Sequence, residues 1–243
     1  ANIVAGRALS LYVAFQLDIG RFHEEADVRK QAEQLVALLI PVQKAYCTDR
    51  GFESCVLGQQ VLGGHGYVAE WGLEQNVWDA RIAQIYEGAN GIQALDLMGR
   101  KTVRGNGELL KVLVAQMDEF IHEQQSVTAM QPYLEIFIDS KQRLVDTTAA
   151  IISNAVDAPD EIGAASYAYM ELMGLTLYCF MWQRILAAAL MAQEAGSGDR
   201  EYLDGLIKTG EFFLYRMLPR SKSLVEEIAA GATVMMAMSA EQF

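Results

Sequence analysis

Apolar residues recur at intervals of three and four along almost the entire sequence, and no stretch of it shows the strict alternation of a half-buried strand. This spacing already holds at the start of the chain, from Ile3 to Phe22. Because long helices joined by short loops form antiparallel bundles, we predict an all-α fold. The predicted helices cover residues 1–22, 27–49, 52–62, 74–82, 90–102, 108–124, 132–156, 159–194, 200–218 and 222–239.

The segment Arg104–Gly107 is the clearest interruption of the helical pattern, because two glycines flank an asparagine there. The charge balance changes at the same point, since residues 1–104 carry a net charge of −2 and residues 105–243 carry −10. We therefore predict two helical bundles, formed by residues 1–104 and by residues 105–243. No cluster of basic residues stands out, so the composition argues against nucleic acid as a partner.

The most apolar stretch of the chain lies in the predicted helix 159–194. The run from Leu172 to Trp182 has no charged residue, but Glu171 and Arg184 interrupt the apolar stretch. A bilayer span needs about 20 apolar residues. We therefore predict a buried bundle helix here, and no membrane span.

The three cysteines, Cys47, Cys55 and Cys179, are irregularly spaced. An odd number without regular spacing argues against a disulfide framework and against a zinc site, so we expect reduced thiols in a cytoplasmic protein. The sequence has no signal-peptide pattern. Because it opens with Ala1 and is already in a helical pattern, we interpret it as part of a longer protein.

A glutamate lies on an irregular turn directly before a predicted helix, in the segment Ile85–Gln93 (IYEGANGIQ). Asn90 at the start of that helix, with Gln93 three residues later, fits a capping box. The helix dipole alone favours a carboxylate such as Glu87 near a helix N-terminus. This turn by itself therefore does not require a function.

A second glycine-rich turn, Gln60–Tyr67 (QVLGGHGY), lies upstream of the first. Glycine tolerates the left-handed backbone that ends helices, so these glycines predict the end of the preceding helix. They do not follow a strand, which excludes a Rossmann fingerprint. His65 has no second histidine or carboxylate at metal-ligand spacing, so we predict no metal site.

The order of these two turns, with the Asp79–Arg81 segment between them, resembles the C-terminal helical domain of the acyl-CoA dehydrogenases, a family of flavoproteins. The resemblance extends over about residues 1–104. Residues 105–243 resemble, less specifically, an extra C-terminal helical domain found in a subgroup that includes the 3-methylmercaptopropionyl-CoA dehydrogenases. The last residues, Ala229–Ala232 and Phe243, are typical of that extension.

The resemblance implies a role for each residue of the two turns. Glu87 matches the catalytic base, which removes the α-proton of an acyl-CoA thioester while FAD accepts the β-hydride. Its backbone N–H would hold the thioester carbonyl and so acidify the α-carbon, with Gly88 and Tyr86 against the substrate. The residues that would contact FAD are Gln60, Val61, Leu62, Gly63 and Gly64, on FAD bound to a neighbouring subunit, together with Ala89, Asn90 and Gly91.

The chemistry of an α-proton base leads to further expectations. A C–H bond is a very weak acid, so the base needs a dry site, and burial would raise the pKa of Glu87 towards working pH. The helix that begins at Asn90 would direct free N–H groups towards an anionic ligand. The chain departs from the family at Ala89, usually threonine, and at Trp78, usually arginine, and both departures predict weaker retention of FAD.

The family also implies electron-transfer flavoprotein as the electron acceptor, and a homodimer or homotetramer. Its members have a middle β-domain that these 243 residues lack, so we expect the chain alone neither to catalyse dehydrogenation nor to hold FAD firmly. An alternative is a non-catalytic helical module for oligomerisation or partner binding, which the acidic second half allows. A flavin oxidase such as a nitroalkane oxidase ranks last, because it would have aspartate in place of Glu87.

Overall fold

The computed structural model describes residues 1–242, which form nine α-helices and contain no strand. The all-α prediction is therefore confirmed. Short 3-10 turns follow α2 and precede α6, and π-helical segments continue α4 and α8. The α-helices are α1 Asn2–Phe22, α2 Ala26–Val61, α3 Leu73–Ile82, α4 Asn90–Leu95, α5 Glu108–Gln124, α6 Gln131–Asp157, α7 Asp160–Glu194, α8 Arg200–Phe212 and α9 Arg220–Ala229.

Helix α7 is the centre of the molecule. Its side chains are buried on every side from Tyr169 to Gln183, and α1, α2, α4, α6, α8 and α9 all pack against it. Both α7 and α1 are long and apolar enough to cross a membrane, but 61% of the apolar window of α7 is buried inside the protein, against 28% for α1. A helix that is apolar all round is typical of a protein core, and the predicted buried bundle helix is confirmed.

A single hydrophobic core extends across the predicted boundary at residue 104. It includes Leu38 from α2, Leu113 from α5 and Leu172 from α7, none of which is exposed. The boundary segment itself is a turn, in which Asn106 and Gly107 have φ values of 48° and 73°. The turn was predicted correctly, whereas the division of the chain into two domains stays a prediction.

Helix α2 is one continuous helix, so the predicted break between residues 49 and 52 is wrong. Gly51 lies at the predicted break, and glycine in a helix interior costs about 1 kcal/mol relative to alanine. Arg50 offsets this cost by a tertiary ion pair with Glu171 of α7 at 3.3 Å and by a pair within α2 with Glu53 at 2.8 Å. Tertiary contacts thus override local propensity here.

The predicted last helix, 222–239, is also too long, because α9 ends at Ala229. Gly231 has φ 70° and so ends the helix with a left-handed residue. Met235 and Met236 follow this glycine, are more than 60% exposed and do not belong to the core. Phe243 lies outside the described residues.

The predicted helix 90–102 forms in two parts. An α-helix extends from Asn90 to Leu95, and a π-helix follows from Asp96 to Val103. An ion pair joins Asp96 and Arg100, with 2.5 Å between the carboxylate oxygen and Nε. Hydroxyl Oγ1 of Thr102 donates to the carbonyl of Leu97, five residues earlier, in the wider spacing that a π-helix allows.

The packing of α7 on α2 predicts the effect of one glycine substitution. A Cβ atom at Gly174 would lie 2.3 Å from the ring of Tyr46, which is itself buried at 1% exposure. We expect Gly174→Ala to lower the free energy of unfolding by at least about 2 kcal/mol, because a buried ring would have to move. Urea denaturation followed by circular dichroism measures this change.

The matched control is Gly163→Ala on the same helix, where a Cβ would meet no atom within 4 Å. Its effect is expected to be small or stabilising, within about 1 kcal/mol. Equal effects of the two substitutions would contradict the close contact between α2 and α7.

Candidate functional site

The Glu87 turn is the segment between α3 and α4, residues 83–89. Glu87 has φ 50° and Gly88 has φ 87°, so two successive residues have left-handed backbone. This conformation costs a non-glycine residue about 1–2 kcal/mol, and such strain is concentrated at functional sites. Glu87 and Asn106 are the two non-glycine residues with positive φ in the part of the chain that the structure describes.

The Glu87 turn leaves several backbone donors unused. Within residues 1–242, the N–H groups of Glu87, Gly88, Ala89 and Gly91 make no hydrogen bond to the protein. They lie next to a carboxylate, so an incoming carbonyl or phosphate oxygen would find donors on consecutive residues. The predicted contact between the N–H of Glu87 and a thioester carbonyl is compatible with this arrangement and stays a prediction.

A side chain at position 88 would also meet the side chain of Gln93. A Cβ atom there would lie 2.5 Å from Nε2 of Gln93, in addition to the backbone strain at φ 87°. At Gly91, by contrast, a Cβ would meet open space. The side chain of Gln93, on the following helix α4, therefore lies close to Gly88, the residue that the resemblance places against the substrate.

Glu87 itself is exposed, as are Ile85 and Tyr86, at 49% and 52%. No hydrogen bond or ion pair of residues 1–242 involves the Glu87 carboxylate. The expected dry environment is therefore not formed by this chain alone.

The Asn90 side chain does not cap α4 but joins it to α2, and its predicted contact with FAD stays a prediction. The capping box is wrong, because the N-cap of α4 is Ala89 and no side chain caps the helix. The Asn90 side chain is buried, and its Nδ2 donates to Asp49 Oδ1 at 2.7 Å and to Thr48 Oγ1 at 2.9 Å. Lys44 donates from Nζ to Asn90 Oδ1 at 2.8 Å. The amide thus fastens the start of α4 to α2.

The start of α4 also offers fewer free N–H groups than expected. The N–H of Asn90 donates to the carbonyl of Gln84 at 3.0 Å, and those of Ile92 and Gln93 donate to the carbonyl of Ala89. The turn before the helix, not the helix itself, therefore provides most of the unused donors.

Sequence reasoning missed two residues that hold the Glu87 turn. Gln84 donates from Nε2 to Asp49 Oδ1 at 2.6 Å, and Asp49 is 7% exposed. The bond from Gln84 to Asp49 joins residues 35 positions apart, and the bond from Asn90 to Asp49 joins residues 41 positions apart. No local pattern predicts that Gln84 and Asp49 pair. The one available signal was Asp49 itself, a polar residue amid the apolar pattern of α2.

The second turn lies at the C-terminal end of α2. Its five candidate residues are all exposed, with Val61 at 83% and Leu62 at 37%. Gly63 has φ 56°, and a Cβ at either glycine would meet no atom within 4 Å. A flat group could therefore approach the backbone there. No hydrogen bond of residues 1–242 joins this turn to the Glu87 turn. The five residues are Gln60, Val61, Leu62, Gly63 and Gly64.

Large apolar side chains are exposed around both turns. Trp78 is 78% exposed, Tyr67 79% and Trp71 54%. Such a density of exposed aromatic rings marks a surface that meets a ligand or another protein surface. Together with the open glycine backbone and the unused N–H donors, these residues fit the flat rings and phosphates of a flavin nucleotide.

Other features of the surface do not coincide with the candidate residues. A cavity of about 1740 Å³ lies near the start of α8 and is lined by residues such as Ser126, Met191 and Arg200, none of them a candidate. Among residues 1–242 there is no group of three histidine, cysteine, aspartate or glutamate side chains placed to hold a metal ion. The strained turn, and not the cavity, is therefore the candidate site.

The strain at Glu87 can be measured. We expect Glu87→Gly to be more stable than Glu87→Ala by about 1 kcal/mol, because only glycine adopts a left-handed backbone without cost. Urea unfolding of the two variants gives the difference. Equal stabilities, or a more stable Glu87→Ala, would show that the backbone at this position is not left-handed.

Family models match both halves of the chain. Residues 7–101 match the model described as acyl-CoA dehydrogenase, C-terminal domain. Residues 113–239 match the model described as acetyl-CoA dehydrogenase C-terminal like. Both matches agree with the resemblance seen in the two turns and in the C-terminal extension.

Similar proteins include three bacterial enzymes. The 3-methylmercaptopropionyl-CoA dehydrogenase of Ruegeria pomeroyi is 31% identical over 88% of this chain and 36% of its own length. A broad-specificity linear acyl-CoA dehydrogenase of Mycobacterium tuberculosis is 28% identical over 91% of the chain and 38% of its own length. A butyryl-CoA dehydrogenase of Syntrophomonas wolfei is 28% identical over 98% and 40%. The chain thus spans less than half the length of these relatives.

Proposed function

This chain belongs to the acyl-CoA dehydrogenase family, and from that premise we propose that it is the C-terminal helical part of an FAD-dependent enzyme that oxidises an acyl-CoA to the 2-enoyl-CoA. In this proposal Glu87 is the base that removes the α-proton. The observation that carries the proposal is the left-handed turn at Glu87 and Gly88, which sets a carboxylate beside backbone donors that have no partner within residues 1–242.

Each residue of the turn has a distinct task in this proposal. The N–H of Glu87 donates to the thioester carbonyl, so the negative charge that develops as the α-proton leaves is stabilised. Gly88 lets the thioester approach the backbone, and the Tyr86 ring forms part of the substrate wall. When bound, FAD supplies the acceptor for the β-hydride. Ala89 and Gly91 offer their N–H groups to the nucleotide, while Asn90 keeps the turn on α2.

Further protein must cover the site before it can work. An exposed carboxylate is stabilised by water and has little tendency to take a proton from carbon. We propose that the remainder of a longer protein and a second subunit cover Glu87 and the FAD turn, in a homodimer or homotetramer. The exposed rings of Trp78 and Tyr67 support this proposal. Electron-transfer flavoprotein is the proposed electron acceptor, and the cytoplasmic location stays a prediction.

A second candidate function is a non-catalytic helical module that serves oligomerisation or partner binding. The exposure of Glu87 in this chain is the observation that favours it. In such a module the turn would be vestigial, and its carboxylate would be dispensable. The two candidates therefore differ in one measurable property, the dependence of turnover on the Glu87 carboxylate.

We expect Glu87→Gln, made in the longer protein that contains this chain, to lower kcat by about 10²–10⁴-fold, because an amide cannot accept the α-proton. The measurement is reduction of a flavin-linked dye by acyl-CoA. The side chain keeps its shape, so binding of acyl-CoA is expected to persist in a calorimetric titration.

The matched control is Glu24→Gln, the same chemical change on an exposed residue between α1 and α2. Turnover of this variant is expected to equal that of the unmodified protein. If Glu87→Gln also retained full turnover, the non-catalytic module would be the correct assignment.

The chain alone, residues 1–243, is expected to purify without bound FAD. Its FAD turn is exposed on every residue from Gln60 to Gly64, so a flavin would be covered on one side only. Visible absorbance of the purified chain, before and after incubation with FAD and desalting, is the measurement. A yellow protein that reduces a dye when acyl-CoA is added would contradict this expectation.

A further inference from the structure

One buried carboxylate holds both ends of the Glu87 turn. Asp49 lies within α2 and is 7% exposed. Its Oδ1 accepts from Gln84 Nε2 at 2.6 Å and from Asn90 Nδ2 at 2.7 Å. Gln84 lies near the start of the turn and Asn90 directly follows it, and the N–H of Asn90 also donates to the carbonyl of Gln84 at 3.0 Å. Gln84 and Asn90 are thus bonded to each other and to the same oxygen atom, Oδ1 of Asp49.

The Asn90 amide is oriented by α2 on its other side as well. Lys44 donates to Asn90 Oδ1, and Thr48 accepts from Nδ2. Lys44, Thr48 and Asp49 lie within two turns of one helix, so they form a rigid platform. An amide with a donor on its oxygen and acceptors on its nitrogen has one orientation. Asn90 therefore cannot rotate without breaking bonds to α2.

The remaining oxygen of Asp49 reaches the second half of the chain. Tyr167 of α7 donates its hydroxyl to Asp49 Oδ2 at 2.5 Å, across 118 positions in the sequence. Burial, followed by the bond to Asp49 and its negative charge, raises the pKa of Tyr167, so the hydroxyl keeps its proton at neutral pH. Tyr167 is 44% exposed, and its hydroxyl bond to Asp49 accounts for its position.

We propose that Asp49 is the positioning residue of the Glu87 turn, and that Tyr167 is the contact through which residues 105–243 control that turn. A strained conformation persists only where its surroundings over-determine it. Bonds from one carboxylate to Gln84 and Asn90, on each side of the strained residues, meet that condition. The catalytic part of this inference rests on the proposed role of Glu87, whereas the structural part does not.

The bond from Tyr167 explains how a helix from residues 105–243 stabilises the Glu87 turn. Without the Tyr167 hydroxyl, Asp49 Oδ2 would lack its protein donor in a mostly buried place, and the carboxylate would be free to turn towards water. Rotation would weaken both bonds on Oδ1. The second half of the chain thus influences the candidate base without touching it.

The first test measures amide exchange in the chain of residues 1–243. In Asp49→Asn the carbonyl oxygen can still accept from Gln84 and Asn90, but both bonds lose the negative charge that strengthens them, and the new amide group faces the Tyr167 hydroxyl. The backbone N–H of Asn90 donates to the carbonyl of Gln84. We expect this N–H to exchange about tenfold faster than in the unmodified chain, because weaker side-chain bonds no longer hold Gln84 and Asn90 against each other. The buried amide of Leu175 in α7 reports global stability and is expected to change much less.

The matched control is Asp18→Asn, the same change on an exposed aspartate of α1, and it is expected to leave the Asn90 amide unchanged. Tyr167→Phe keeps the ring and removes only the donor to Oδ2. It is expected to accelerate Asn90 exchange by about threefold or more, and it gives a result even if Asp49→Asn does not fold. Unchanged exchange at Asn90 in Tyr167→Phe would overturn the inference.

The second test is a double-mutant cycle in the longer protein. We expect Asp49→Asn to lower kcat about ten- to a hundredfold while KM for acyl-CoA changes less than about twofold, because the base is displaced and the binding surface remains. If Asp49 acts through Glu87, the double variant Glu87→Gln/Asp49→Asn will be no slower than Glu87→Gln alone. Fully multiplicative losses would show that Asp49 acts elsewhere.

The two tests separate failure of this inference from failure of the proposed function. If Glu87→Gln has no effect on turnover, the proposed function fails, and the exchange measurement still decides whether Asp49 positions the turn. If Glu87→Gln abolishes turnover and Asp49→Asn changes neither exchange nor kcat, only the positioning role is wrong.

Discussion

A helix that is apolar on all sides has to be surrounded, and α7 sets this constraint for the whole chain. Its residues from Tyr169 to Gln183 are buried, and each exposed methylene would cost about 0.8 kcal/mol. Helices from both halves of the sequence cover it, including α1, α2 and α4 from the first and α6, α8 and α9 from the second. The first half of the chain therefore packs on α7, and this packing holds in place the helices that carry the candidate site.

Polar bonds between α2 and α7 then fix how these helices meet. Arg50 of α2 lies between Glu171 of α7 and Glu53, with both acids within 3.3 Å. Its guanidinium also lies 5.1 Å from the centre of the Tyr46 ring. A buried charge without a partner is costly, so this arrangement disfavours sliding of one helix along the other. Asp49 directly precedes Arg50 in α2, so the same register places it beside the Glu87 turn.

The sequence predicted what depends on local pattern and missed what depends on distant contacts. Helical spacing predicted α7 and the other long helices, and the glycines of the Gln60–Tyr67 turn predicted the end of α2. The left-handed backbone at Glu87 was not predicted. The break proposed near Gly51 failed because tertiary bonds stabilise a helix that propensity alone would end. The capping role of Asn90 failed because its partners lie on α2, more than forty positions away. The role of Asp49 as a support had only one local signal, a polar residue amid the apolar pattern of α2.

The exposed position of Glu87 is consistent with a base that is prepared in one part of a protein and completed by another. Residues 1–242 already hold the strained backbone conformation at Glu87. The turn would therefore keep this conformation when further protein covers it. The apolar rings of Trp78 and Tyr67 would lose contact with water in the same step, and their burial favours that step by an amount proportional to their area. Removal of water from Glu87 and burial of the rings would then be one event. Under the proposed function, the protein would gain its reactive carboxylate only after assembly, which prevents a desolvated base from forming without its cofactor.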